Sequence, residues 1–202
     1  MSDPTLFLFD LGGVLVENTT FDRLAALTGL APGAEMKQRW LASPSVRGLE
    51  MGALSPEEFA ARFIDEWQLR CDPLRFLDDF AGWPTGFYPG ATALLARLRR
   101  RRRVGCLSNS NVLHWRRFRG FEDDFDVALS SHLLGAVKPD RECFERALSA
   151  CGARAGDVAF FDDSPANVRA ALDLGWRALL VDGIGDLENR LAAEGWLPRQ
   201  PV

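Results

Sequence analysis

Asp10, the pair Ser108-Asn109, Lys138 and the pair Asp162-Asp163 with Asn167 are the residues of this 202-residue chain whose types and spacing could do chemistry. Each stands at, or just after, the end of a short apolar run. In an open parallel sheet, ligands bind outside the carboxyl ends of the strands. Such a sheet would gather three acids, a hydroxyl, an amide and a lysine into one small site. Carboxylates are hard oxygen ligands of the kind a magnesium ion takes, and a lysine is a compact point charge. Of the 24 basic residues, 22 are arginine and only Lys37 and Lys138 are lysine. A chain so biased keeps lysine where a compact charge is required, although the sequence suggests no such duty for Lys37. Pro139 disfavours helical geometry at Lys138 and so helps to aim it. Taken singly, each residue has a plainer reading: Asp10 and Ser108 as caps of the following turns, the aspartate pair as an acidic turn, and Asn167 as an exposed helix amide. Their order, one group per successive strand end, argues for a site.

The elements that must position these residues are legible as alternation. Apolar runs at 5–10, 104–108, 126–130, 157–162 and 177–182 are apolar on both faces, which suits parallel strands covered by helices on each side. Helical patterns lie between them at 91–101, 141–151, 165–174 and 186–194. The expected class is α/β, a doubly wound parallel sheet. The stretch 18–83 breaks the rhythm, with helical periodicity and almost no strand signal. Ser55-Pro56-Glu57-Glu58 reads as a capping box with proline at the first helical position. We expect a helical cap of about four helices at 18–83, inserted after the first strand, and a core made of 1–17 and 84–202.

Composition sets outer bounds. Apolar residues make up 47% and charged residues 26%, ordinary for a globular chain that folds without disulfide or metal staples. The net charge of −4 argues against a nucleic-acid partner. The basic run Arg99 to Arg103 fits a solvated helix end. Four cysteines without a C-x-x-C pair exclude a zinc pattern and suit a reducing compartment. No leader or membrane-spanning run is visible, so the expected location is cytoplasmic, with no membrane partner.

The motifs carry a further implication. Phe9-Asp10-Leu11-Gly12-Gly13-Val14-Leu15, Leu107-Ser108-Asn109, Lys138-Pro139-Asp140 and Phe161-Asp162-Asp163-Ser164-Pro165-Ala166-Asn167 together resemble the four motifs of the haloacid dehalogenase superfamily of aspartate-nucleophile hydrolases. The resemblance covers the whole chain. Within the superfamily it points to the bacterial glucose-1-phosphatase-like group, related to the N-terminal phosphatase domain of soluble epoxide hydrolases. Glu50-Met51-Gly52-Ala53-Leu54-Ser55 is similar to a cap motif of that group. The resemblance implies a Mg2+-dependent phosphatase of small phosphorylated metabolites, with sugar 1-phosphates as one class. It implies Asp10 as the nucleophile that becomes an aspartyl-phosphate. Ser108 and Asn109 would hold phosphate oxygens, and Lys138 would neutralise phosphate and carboxylates. Asp10, Asp163 and the Gly12 carbonyl would be the metal ligands. Asp162 would orient the site, since neighbouring side chains on a strand point to opposite faces. Trp40, Arg47 and Glu50 are cap positions that could touch substrate. The chain could act as a monomer or a homodimer.

One position departs from the pattern. Phosphatases of the superfamily carry a second aspartate two residues after the nucleophile, and here that position is Gly12. A positioned acid or base contributes about 10²–10⁴-fold. The substrate could have an easy leaving group, or Glu17 or His114 could substitute. The reaction could instead be that of a 2-haloacid dehalogenase, in which departing halide needs no proton. A catalytically weak binding or regulatory domain is the reading outside enzymes.

Overall fold

Leu6 to Phe9, the middle of the first apolar run, are all buried, as the central strand of a sheet covered on both faces must be. In the computed structural model, which describes residues 3–117 and 120–197, the strands are β1 (Leu6–Phe9), β2 (Val16–Asn18), β3 (Pro84–Phe87), β4 (Arg103–Ser108), β5 (Val127–Ser130), β6 (Val158–Asp162) and β7 (Arg177–Leu180). Five of them form one parallel sheet in the order β5-β4-β1-β6-β7. The chain runs outward from β1 to β4 and β5, then crosses back to β6 and β7. The order therefore reverses beside β1, where open sheets of this kind leave a ligand crevice.

Helices α1 (Thr20–Thr28), α2 (Ala34–Ala42), α3 (Pro44–Glu50), α4 (Pro56–Trp67) and α5 (Pro73–Ala81) precede β3. After it come α6 (Ala91–Arg99), α7 (Val112–Arg117), α8 (Ser131–Leu134), α9 (Arg141–Cys151), α10 (Pro165–Asp173) and α11 (Gly183–Ala193). Strand periodicity decides which helices cover which face. Phe7 and Phe9 pack against leucines of α6 and α11 and against Trp196. Leu6 and Leu8 face the other way, towards Phe144 and Ala147 of α9 and Ala171 of α10.

Between β2 and β3 there are five helices, not the expected four, and β2 pairs antiparallel with β3 as a two-stranded ribbon. The extra helix arises at Ser43-Pro44. Pro44 cannot continue α2 but suits the first position of α3, and the Ser43 hydroxyl accepts from the Val46 N–H at 3.1 Å as its cap. The ribbon was hidden because β2 has three residues, two of them polar and exposed. These helices have their own aromatic core, in which Phe59, Phe63, Phe80 and Trp83 are fully buried and Phe76 nearly so. The Ser55–Glu58 capping box at the start of α4 forms with both of its hydrogen bonds.

Candidate active site

Lys138 is 3% exposed, and its ammonium has three donors, all engaged. It donates to the Leu107 carbonyl at 2.7 Å and to Asp162 Oδ2 at 2.6 Å, and it lies 3.1 Å from Asp10 Oδ1. The lysine thus ties the ends of β1, β4 and β6 together. It follows β5 and α8 on a loop where Asn109 holds both backbone groups of Lys138. The Asn109 amide donates to the Lys138 carbonyl at 2.9 Å, and its oxygen accepts the Lys138 N–H at 2.8 Å. The Lys138–Pro139 peptide is cis.

Asp10 begins where β1 ends, and its Oδ1 accepts the Leu11 N–H at 2.8 Å. Asp162 is fully buried and saturated. It accepts from the Ser164 N–H at 2.8 Å, from Lys138, and from the Asn167 amide at 3.0 and 3.1 Å. Asn167 therefore points back to the site and holds Asp162. Asp163 turns the other way, half-buried, with Lys37 of α2 at 3.7 Å.

Carboxylate oxygens of Asp10, Asp162 and Asp163 lie within 4.8 Å of one another. Three carboxylates against Lys138 and the more distant Lys37 leave a net negative charge that would attract a cation. Hard oxygen donors fit Mg2+. With Asp162 already saturated, Asp10 and Asp163 are the carboxylates of this cluster that could hold the ion, and Gly12 lines the same cavity. Gly13 lets this turn form. Its φ is +76°, and a Cβ there would sit 3.1 Å from Asp163 Oδ2.

Burial raises Asp10 to about 7, assisted by Asp162 and Asp163 and opposed by Lys138. Burial also lifts Asp163, with Lys37 opposing. For Lys138, burial disfavours the charge, but Asp10 and Asp162 outweigh it and hold the ammonium above its ordinary range.

The site opens into a cavity of about 730 Å3 between the strand ends and α1–α5. Ser108 and Asn109 line it, and the Ser108 hydroxyl has no partner among the described residues. Trp40, Arg47 and Glu50 also line it, as does Lys37, which sequence reasoning left without a duty. The signal that could have found Lys37 was its rarity. Burial, helped by the nearby Asp10 charge and opposed by Lys138 and Arg47, pushes Glu50 up to about 7.

Glu17 and His114, which could have substituted for the missing aspartate, are both engaged in other bonds. Glu17 is exposed on β2 and accepts from the Thr85 hydroxyl at 2.8 Å. His114 lines the cavity, but both ring nitrogens are engaged. The Phe80 carbonyl can only accept, so Nε2 donates to it at 2.8 Å, and Nδ1 accepts from the Asn111 amide at 3.0 Å. Burial pushes this imidazole down to about 4, opposed by the Phe80 carbonyl.

The haloacid dehalogenase-like hydrolase family model matches residues 4–175. This chain belongs to that family. The hydrolase is 33% identical over 202 residues to Phosphatase MT3486 of Mycobacterium tuberculosis, covering 90% of this chain and 89% of the relative. Its structure is similar to that of a predicted HAD-like family hydrolase from Porphyromonas gingivalis, with a TM-score of 0.77, 25% identity, and coverage of 99% and 100% of the two chains. It shares the fold of the HAD family enzyme bt-2542 from Bacteroides thetaiotaomicron, solved with magnesium and inorganic phosphate. There the TM-score is 0.71 at 22% identity, covering 88% of this hydrolase and 94% of that enzyme. Among the described residues no helix is long and apolar enough to cross a membrane.

Proposed function

We propose that this hydrolase is a Mg2+-dependent phosphatase of small phosphorylated metabolites, with sugar 1-phosphates the favoured class, working through an aspartyl-phosphate on Asp10. The observation that carries this reading is the set of bonds at Lys138. One ammonium joins Asp10 to Asp162 while Asp163 stays available beside them. The Mycobacterium relative is named a phosphatase, and the Bacteroides structure holds magnesium and phosphate, in keeping with the same chemistry here.

In this reading residues 1–17 and 84–202 form the catalytic core, and 18–83 a helical cap that excludes bulk water and selects the organic group. Asp10 attacks phosphorus, and its bond to phosphorus forms as the ester bond breaks. Ser108 and the second N–H of Asn109 hold phosphate oxygens, while Lys138 neutralises charge on phosphate and nucleophile. Bound by Asp10, Asp163 and the Gly12 carbonyl, Mg2+ would draw electron density from the phosphate. Asp162 keeps Lys138 in place.

Phosphate release from an aryl phosphate and from a panel of sugar phosphates, with Mg2+ and with chelator, tests this. Release should require the metal and be strongest for 1-phosphates. Asp10→Asn should abolish it, because an amide is a poor nucleophile. Turnover retained in that variant would exclude the covalent route. Halide release from 2-haloacids without phosphate release would assign the site to dehalogenation.

A further inference from the structure

We propose that Glu50 is the general acid and base of the reaction, reaching the leaving oxygen from the cap in place of the carboxyl that position 12 lacks. This rests on the phosphatase reading above.

Backbone geometry does not force Gly12 to be glycine. Its φ lies outside the left-handed region, and the nearest side-chain atom to an added Cβ would be Asn18 Nδ2 at 3.2 Å. The chain nevertheless has no acid there. The acidic residues lining the cavity are Asp10, Asp163 and Glu50. The first two belong to the nucleophile and cation set, which leaves Glu50.

Glu50 has no structural employment that would explain it. Among the described residues it makes no hydrogen bond and no ion pair. Arg47, one turn earlier on the same helix, is turned instead to Asp140 of the core. An acid at the last residue of α3 also faces the negative end of the helix, the wrong end for stabilising a carboxylate.

The position is held from both sides. The Arg47–Asp140 pair ties α3 to the loop after Lys138. Just past Glu50, Gly52 lies so close to α8 that an added Cβ would sit 2.7 Å from the His132 carbonyl. A functional carboxyl needs this registration, since a proton donor must lie within hydrogen-bond reach of the leaving atom.

The proton balance is simple. In the first step the Asp10–phosphorus bond forms, the bond from phosphorus to the ester oxygen breaks, and the Glu50 proton passes to that oxygen. In the second, water attacks phosphorus, its proton returns to Glu50, and the Asp10–phosphorus bond breaks to release phosphate.

Glu50→Gln in the full chain tests the assignment, because the amide keeps the shape and removes the proton. With Mg2+ present, kcat/KM for an alkyl phosphate should fall by about 10²-fold or more. That for p-nitrophenyl phosphate, whose leaving group needs no proton, should change little. The variant should also show a p-nitrophenol burst of one equivalent as phosphoenzyme accumulates. An equal fall on both substrates without a burst, or no fall on either, overturns the assignment. A wild-type enzyme that releases phosphate from neither substrate would instead sink the phosphatase reading, and the role of Glu50 with it.

Discussion

Lys138 holds two carboxylates that need different fates. Asp162 is saturated and serves as a fixed anion, whereas Asp10 keeps an oxygen free of the Leu11 and Lys138 contacts. Removing one partner of such a buried cluster leaves the others uncompensated. Lys138→Met should therefore cost about 3–5 kcal/mol in urea denaturation, besides abolishing turnover. A loss of about 1 kcal/mol or less, the range of a surface pair, would show that water or other groups replace the lysine. Gly13→Ala places a side chain at a φ that costs about 1–2 kcal/mol for a residue with a Cβ. The new methyl also presses on Asp163. Calorimetric titration with Mg2+ should show weaker binding in that variant. An unchanged isotherm would mean that Asp163 is not a ligand.

The short helix α3 links the helices between β2 and β3 to the loop after Lys138, through the Arg47–Asp140 ion pair. Its start is set by Ser43-Pro44 and its end by the turn through Gly52 against the His132 carbonyl. Gly52→Ala combines a left-handed φ of +69° with a backbone clash, so α3 must shift, and turnover should fall far more than stability. Ser55→Ala is the matched control three residues on. It removes one half of the α4 capping box and should lower stability by about 1 kcal/mol while leaving kcat near the wild-type value. Equal effects of the two changes on kcat would show that the registration of α3 has no bearing on the chemistry.

At the scale of the whole molecule, His114 ties α7, which follows β4, to α5, which precedes β3. Its ring lies 4.4 Å from that of Phe80, between α7 and α5, and it donates to the Phe80 carbonyl. It is held at about 4 in the fold, against an ordinary value near 6.5 in the unfolded chain. Above about pH 6.5 neither state binds the proton, and the contribution is neutral. As pH falls from there towards 4, the unfolded chain takes up a proton that the folded one refuses, so stability is lost. The whole window spans roughly 3 kcal/mol at 1.36 kcal/mol per unit. Denaturation midpoints at pH 7 and 5 should separate more for the wild type than for His114→Gln, which cannot titrate. Parallel pH profiles would exclude the histidine as the source.

The parallel sheet, its helices and the motif residues at strand ends were legible because each rests on local pattern. Leu6 to Phe9 is apolar on both faces wherever it is placed, and Asp10, Ser108, Lys138 and Asp162 follow their strands by chain connectivity alone. The fifth helix between β2 and β3 and the β2–β3 ribbon were not legible, since a seven-residue helix and a three-residue strand carry too few residues for a period. Tertiary structure alone decided which polar groups are spent. Asn167 is consumed by Asp162 and His114 by Phe80, while Glu50 and Lys37 come into the cavity from helices more than 80 residues away in sequence from Lys138. Sequence determines which groups a strand end carries. Hydrogen-bond saturation and the approach of distant side chains depend on packing, and no local pattern records them.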